Sequence, residues 1–308
     1  MNAPSRDLPI RAWTDHTRIP YALYTDEAIY RQELERIFYG PFWQPVALEA
    51  ELPAVNDYKT IVVGETPLIV TRTGADEFAV MVNACAHRGV QITTEFKGTA
   101  SDFSCPYHAW AYDNCGNLRK VPGEERFPAN FDKRHYGLRR LRAVLWNQVL
   151  WATFDDATPP IDEFFGEVAD SIRAALGGGE RRLKLLGYQK IIFNCNWKVY
   201  MDNDGYHAGL LHTAFRMLNY QGGTAPLVAD GFAGHWGAHY GAQRMVDNGY
   251  LADPTLVFTE GDEKTAAVNL LRPVTQVVKH LNAMNFRFGR PLGPDKTEVH
   301  YTYLAFAD

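Results

Sequence analysis

The sequence predicts an α+β protein: an antiparallel all-β domain followed by a domain that mixes helices with strands. Three observations predict it. From about residue 42 to 154, short β-branched and aromatic runs are separated by turn residues, as in an antiparallel all-β domain. Asp156-Ala157-Thr158-Pro159-Pro160 then breaks the composition and marks a boundary. Beyond it, helical periodicity alternates with longer strand-like runs. At 308 residues the chain supports two domains and a sizeable core.

The elements follow in order. Residues 24–38 read as a helix, with Thr25 as a cap, Asp26 and Glu27 suited to the first turn, and Ile29, Leu34, Ile37 and Phe38 as its apolar stripe. Gly40-Pro41 ends it. The β region offers strands at Thr60–Val63, Leu68–Thr71, Phe78–Asn83 and Val149–Phe154. Phe164–Leu176 reads as one helix, stopped by Gly177-Gly178-Gly179. Arg182–Asn194 alternates like a strand, residues 199–220 look helical, and strands return at Ala283–Phe288 and Val299–Ala307. There is no internal repeat.

Composition narrows the function classes. Hydrophobic residues make up 46%, ordinary for a globular protein. No run of 18 apolar residues exists, so no membrane span is expected. The start, Met1-Asn2-Ala3-Pro4, lacks the basic and apolar regions of a signal peptide. A net charge of −5 argues against nucleic acid as a partner. No Gly-x-Gly-x-x-Gly occurs, so the chain is not expected to bind a dinucleotide itself.

Two blocks carry metal-ligand chemistry. Cys85-Ala86-His87 is followed, after a gap of 17 residues, by Cys105-Pro106-Tyr107-His108. Two thiolates and two imidazoles suit a two-iron cluster with Cys on one iron and His on the other, the Rieske arrangement. Neutral His ligands lift its potential to roughly −150 to +300 mV, against about −400 mV for plant-type ferredoxins. Each pair is expected at a hairpin tip, with Gly89 and Pro106 fitting tight loops. The rival is a structural Cys₂His₂ zinc site, although zinc fingers separate the Cys pair from the His pair and here each half mixes them. The remaining thiols, Cys115 and Cys195, fit neither ligand spacing. Free thiols and iron–thiolate chemistry point to a reducing, cytoplasmic setting.

The second block is Asp204-Gly205-Tyr206-His207-Ala208-Gly209-Leu210-Leu211-His212. Two imidazoles and a carboxylate on one iron leave positions open for O₂ and substrate. His207 and His212 lie about 140° apart on a straight helix, so converging on one metal needs a break, which Gly209 permits. Asp204, three residues before His207, can hydrogen-bond that imidazole and orient it.

Taken together, Asn83-Ala84-Cys85-Ala86-His87-Arg88-Gly89, Cys105-Pro106-Tyr107-His108-Ala109-Trp110 and Tyr112-Asp113-x-x-Gly116 resemble the Rieske domain of the aromatic-ring-hydroxylating oxygenases. The likeness extends to Tyr30-x-x-Glu33-Leu34-Glu35-x-Ile37-Phe38 and to Asn196-Trp197-Lys198, the latter followed by Asp204, His207 and His212, as in the large, catalytic subunit. The stretch from Tyr200 to His207, with Leu211–Phe215 and Asn219–Gly223, is similar to salicylate 5-hydroxylase large subunits.

The resemblance implies an N-terminal helical segment (1–40) packing on the catalytic domain, an all-β Rieske [2Fe-2S] domain (41–156) and a helix-grip-like catalytic domain (157–308). It implies a cluster held by Cys85, His87, Cys105 and His108, and a mononuclear Fe(II) held by His207 and His212. It makes Asp204 the relay to His108 of a neighbouring subunit in a ring of three. It implies a homotrimer, with or without a small β subunit, served by a ferredoxin and a flavin reductase. The substrates would be O₂ and an aromatic acid such as salicylate. The third iron ligand is expected past Asp308, so the second domain is expected to be incomplete. One departure is the adjacency of Asn203 and Asp204, which leaves Asn203 doubtful as a pocket residue. Met201, Phe215, Leu218 and Trp236 could wall a pocket, and Arg216, Gln221, His235, His239 and Arg244 could meet a carboxylate. The basic run Lys133–Arg142 reads as a solvated or subunit-contact face, or as a docking site for a donor. The rival readings are cis-dihydroxylation of a different aromatic and, from another class, a plain Rieske electron carrier.

Overall fold

The structure is a computed structural model and describes residues 18–166, 168–202, 236–241, 265–271, 274–280 and 283–307. It opens with α1 (Ala22–Thr25) and α2 (Glu27–Glu33), continued by a π-helical turn at Leu34–Phe38. Asp26, not Thr25, caps α2. Its Oδ1 accepts the N–H groups of Ala28 and Ile29 at 2.8 and 3.0 Å, whereas the Thr25 hydroxyl donates back to the Tyr21 carbonyl. A carboxylate there satisfies free N–H groups and also meets the positive end of the helix dipole, which a hydroxyl cannot match. The stop at Gly40 has a steric cause: a Cβ there would sit 2.0 Å from the Arg36 carbonyl oxygen.

Ten strands follow before residue 154. They are β1 (Gln44–Leu48), β2 (Asp57–Val63), β3 (Thr66–Arg72), β4 (Phe78–Val82), β5 (Lys97–Thr99), β6 (Asp102–Ser104), β7 (Ala111–Asp113), β8 (Leu118–Lys120), β9 (Arg142–Trp146) and β10 (Val149–Thr153). They form three antiparallel sheets with orders β1-β10-β9, β4-β3-β2-β5 and β6-β7-β8. Pro45 sits in β1, which is an edge strand with a register shift beside it, the setting in which a strand tolerates proline.

The single helix expected over Phe164–Leu176 is two. α3 (Ile161–Phe165) stops at Gly166, φ +50°, and α4 (Val168–Ala175) begins two residues later. The apolar period runs through the break and hides it. Gly177, Gly178 and Gly179, at φ +89°, +65° and +84°, then end α4 as expected. Next come β11 (Leu183–Phe193) and α5 (Trp197–Asp202), followed by β12 (Trp236–Gly241), β13 (Thr265–Leu271), β14 (Thr275–His280), β15 (Ala283–Pro291) and β16 (Thr297–Phe306). These strands form one antiparallel sheet of order β11-β16-β15-β14-β13-β12.

The core joins these layers. One apolar cluster runs from Tyr30, Leu34 and Phe38 through Ile61, Leu68 and Val80 to Trp197, Met201, Phe288 and Val299. A second packs α3 and α4 between Trp151 and the face of the larger sheet at Val277, Phe286 and Leu304. The Asn196-Trp197-Lys198 motif fastens the start of α5. Trp197 Nε1 and Lys198 Nζ both donate to the Glu33 carboxylate, at 2.9 and 2.5 Å. Asn196 Nδ2 donates to the carbonyls of Tyr24 and Pro294, while its Oδ1 accepts the Lys198 N–H at 3.0 Å. A third cluster, including Tyr58, Ile69, Met81, Phe103 and Tyr112, encloses Cys85 and Cys105. Among the described residues, no helix is long and apolar enough to cross a membrane.

Candidate metal centre

Both predicted ligand pairs lie on loops with the same backbone closure. In the first, the Cys85 N–H donates to the Val90 carbonyl at 2.9 Å and the Gly89 N–H to the Cys85 carbonyl at 2.7 Å. In the second, Cys105 donates to Trp110 at 2.8 Å and Ala109 to Cys105 at 3.0 Å. Each loop needs a left-handed residue at the same place, Gly89 at φ +71° and Ala109 at φ +56°. Only the second is a hairpin tip, joining the paired strands β6 and β7. The first corrects the expectation, because β4 and β5 are not neighbours in their sheet. A buried side chain substitutes for strand pairing there. Asn83 Oδ1 accepts the N–H groups of Ile92 and Thr93 at 2.9 and 3.2 Å, and its Nδ2 donates to the Thr93 carbonyl at 2.7 Å.

The loops sort the four side chains by chemistry. Cys85 and Cys105 are 3% and 4% exposed, inside the third apolar cluster. His87 and His108 stand exposed at the tips with their Nδ1 atoms 3.1 Å apart. That separation suits two imidazole nitrogens that bind one ion at about 2.1 Å each. Among the described residues no three His, Cys, Asp or Glu side chains close on a single ion. Sulfurs inside and imidazoles outside suit two metals with two protein ligands each better than one tetrahedral zinc. Partial desolvation first, then His108 and Arg88, hold His87 below the ordinary imidazole range, which favours the neutral form a metal needs.

Two further residues belong to the site, and the sequence marked them only as parts of motifs. Trp110 stacks on His87, with ring centroids 4.9 Å apart and planes 12° apart. Tyr112 Oη lies 3.2 Å from Cys85 Sγ and accepts the Ala86 N–H at 3.1 Å. Burial, and then the hydrogen bond to Cys85, raise the Tyr112 phenol well above its usual range, so it remains a donor to sulfur. The Tyr112-Asp113-x-x-Gly116 motif is a turn. Asp113 Oδ1 accepts the N–H groups of Cys115 and Asn117, and Gly116, at φ +82°, leaves no room for a Cβ beside Met81 Sδ. Cys115 and Cys195 are half-buried, and burial pushes the Cys195 thiol up.

The second predicted site, Asp204, His207 and His212, lies outside the described residues, as do Asn203, Phe215, Arg216, Leu218, Gln221, His235 and Arg244. Trp236 and His239 fall on β12. Met201 is buried in the first apolar cluster.

Comparison with known proteins defines first the class and then the family. Residues 42–137 match the family model of the Rieske [2Fe-2S] domain. The large subunit of anthranilate 1,2-dioxygenase from Burkholderia cepacia is 34% identical over 324 residues, covering 96% of this chain and 76% of the relative. The terephthalate 1,2-dioxygenase terminal oxygenase component, subunit alpha 2, of Comamonas sp is 31% identical, covering 95% and 77%. The large oxygenase component of salicylate 5-hydroxylase from Ralstonia sp is 38% identical over 211 residues, covering 65% and 50%. In fold, naphthalene 1,2-dioxygenase from Rhodococcus sp. matches with a TM-score of 0.78 at 24% identity, covering 94% of this chain and 73% of that one. The chain belongs to the large subunits of the Rieske non-heme iron, aromatic-ring-hydroxylating oxygenases. Its cofactors are a Rieske [2Fe-2S] cluster and a mononuclear iron, with electrons from NAD(P)H supplied through a reductase.

Proposed function

We propose that this subunit hydroxylates an aromatic carboxylic acid, salicylate or a close analogue, and that Cys85, Cys105, His87 and His108 hold its cluster. The observation that carries the ligand reading is the matched pair of loops, with both sulfurs buried and the two Nδ1 atoms 3.1 Å apart. The substrate reading rests on three relatives whose names specify anthranilate, terephthalate and salicylate, each an aromatic acid. When bound, the cluster supplies electrons one at a time and the mononuclear iron activates O₂.

The chain's own residues prepare the first site. Burial removes water from the two sulfurs, Tyr112 donates to one of them, and Trp110 fixes the plane of the His87 ring. Asp204, His207 and His212 are assigned to the second site, with Asp204 orienting His207 and reaching His108 of a neighbouring subunit in a trimer. Residues 41–156 form the cluster-bearing unit and 157–308 the substrate-bearing one. A ferredoxin and a flavin reductase supply electrons, and a small β subunit fits the same reading. Cis-dihydroxylation of a different aromatic is the alternative.

A product screen decides between these readings. The protein, supplied with ferredoxin, reductase, NAD(P)H and O₂, is offered salicylate, anthranilate, benzoate, terephthalate, naphthalene and benzene. Hydroxylated or cis-diol products from the acids alone support the proposal. Products from the hydrocarbons alone contradict it, and a reducible cluster with no product from any substrate favours a plain electron carrier.

A further inference from the structure

Between the smaller sheets and the larger one lies a cleft, lined on one side by Glu51, Lys59 and Phe96 and on the other by Tyr188 and Lys190. Tyr188 and Lys190 are two apart on β11, so both side chains point to this face of the larger sheet. Glu51 lies on the turn after β1, and Lys59 on β2. They form a buried ion pair. Lys59 Nζ donates to Glu51 Oε1 at 2.7 Å, and the two side chains are 9% and 1% exposed. The other carboxylate oxygen accepts the Leu48 N–H at 2.7 Å. Tyr188 adds a hydroxyl donor to the same carboxylate from across the cleft. Burial first, and then the Glu51 charge and this hydrogen bond, hold its phenol well above the usual range, so it keeps the proton it donates. A charge taken out of water is stable only when paired and hydrogen-bonded, and here one of the donors comes from the larger sheet.

The ring of Tyr188 makes a second contact. Phe96 stands edge-on to it, with centroids 5.1 Å apart and planes 89° apart. The ammonium groups of Lys59 and Lys190, one from each side of the cleft, lie 5.8 and 5.9 Å from the Phe96 centroid, within cation–π range. Phe96 lies on the segment that leaves the first ligand loop. Its carbonyl accepts the Thr60 N–H at 2.9 Å, and the Thr60 hydroxyl donates to the Glu95 carbonyl at 2.9 Å. Three residues upstream, Thr93 is held by Asn83, whose side chain closes the loop carrying Cys85 and His87. A continuous set of contacts therefore runs from β11 through Tyr188 and Phe96 to that loop.

We propose that Tyr188 is a positioning residue for the metal site, and that through it the larger sheet sets the orientation of the loop carrying Cys85 and His87. Its hydroxyl rests on Glu51 and its ring on Phe96. Two contacts from one rigid side chain fix an angle, which a single contact does not. The loop that receives this support is the one without strand pairing, since β4 and β5 are not neighbours. The second ligand loop is held by the β6–β7 pairing itself. Metal sites need such support, because a misplacement of about 1 Å can cost roughly 10²-fold in rate. The proposal rests on the reading that Cys85 and His87 are cluster ligands.

The test compares the holo protein with Tyr188→Phe, Phe96→Leu, the double variant and a control, Tyr303→Phe. Tyr188 pairs with Thr302, so Tyr303 lies on the opposite face of the sheet, where its hydroxyl donates to Gln189. Two measurements are made on each protein: hydrogen–deuterium exchange of the segment 84–93, and EPR of the reduced cluster. Tyr188→Phe removes one oxygen from β11. Exchange in segment 84–93 should nevertheless rise about threefold or more, the effect of losing one hydrogen bond, and the principal g values should shift. Phe96→Leu should act in the same direction. The double variant should show the larger single effect rather than the sum, because both residues lie on one path. The control should match wild type in both measurements. If either measurement is unchanged in Tyr188→Phe, the proposal is overturned and the cleft is packing alone. Faster exchange spread evenly over all three smaller sheets would overturn it too, as a loss of stability rather than of position. Additive effects in the double variant would contradict the single path. If Phe96→Leu does not fold, Tyr188→Phe decides by the same two measurements. A wild-type protein without a Rieske signal would overturn the cluster reading instead, and exchange of segment 84–93 would still decide whether Tyr188 holds the loop.

Discussion

Tyr112 is the residue whose chemistry can be isolated most cleanly. Its hydroxyl lies 3.2 Å from Cys85 Sγ in a fully buried position, where it would donate to a ligand thiolate. A hydrogen bond to a ligand sulfur stabilises the reduced, more negative cluster, so removing it should lower the potential. Tyr112→Phe keeps the ring and its packing. We expect a drop of roughly 20–60 mV, equivalent to a hydrogen bond of about 0.5–1.5 kcal/mol on a one-electron couple. An EPR-monitored redox titration measures it, and an unchanged potential at unchanged cluster content would contradict this role. The four proposed ligands were legible as residues because Cys and His at these spacings have few other uses. Tyr112, Trp110 and Asn83 were legible only as motif members. Their roles depend on segments that meet through the fold, such as Asn83 with Thr93 and Tyr112 with Cys85.

Elements make separate predictions. The two ligand loops share one closure but use different residues at the left-handed position. A Cβ on Gly89 would meet nothing within 4 Å, so Gly89→Ala adds only backbone strain. It should cost about 1–2 kcal/mol in unfolding of the holo protein, while Ala109→Gly relieves the same strain and should lie within about 1 kcal/mol of wild type or above it. Equal losses in both would show that the loops do not share this geometry.

The β7–β8 turn gives a pH dependence. Burial works against the Asp113 charge, but hydrogen bonds from Asn117 and Cys115, together with Arg119, outweigh it and hold the carboxyl below the usual range. A depressed folded pKa gives stability that is full above the unfolded value, about 3.9, and lost as pH falls through the lower folded value. Asp113→Asn should therefore cost about 1–2 kcal/mol near neutral pH, with the difference from wild type vanishing in strong acid. A difference that grows on acidification would contradict this sign.

Legibility at this scale followed length and period. β2, β3, β4 and β10 announced themselves by β-branched runs. β5 to β8, three residues each, are too short to show alternation. β1 is buried on both faces and contains Pro45, so it carries neither the alternation nor the composition of a strand.

At the scale of the molecule, strands β2 to β4 and the larger sheet share one core, and Glu33 holds both Trp197 and Lys198 at the start of α5. The α+β class and the order of its parts were readable from periodicity. The pairing of β11 with β16 was not, because strand neighbours distant in sequence leave no local mark, whereas β12 to β16 pair in sequence order. The central claim is that Cys85, His87, Cys105 and His108 together hold a Rieske cluster. It is tested most directly by EPR of the anaerobically reduced protein and its single cysteine variants. The account predicts a Rieske signal in wild type, Cys115→Ser and Cys195→Ser, and its loss in Cys85→Ser and Cys105→Ser. A colourless protein that binds zinc, or a signal that survives Cys85→Ser unchanged, would contradict it.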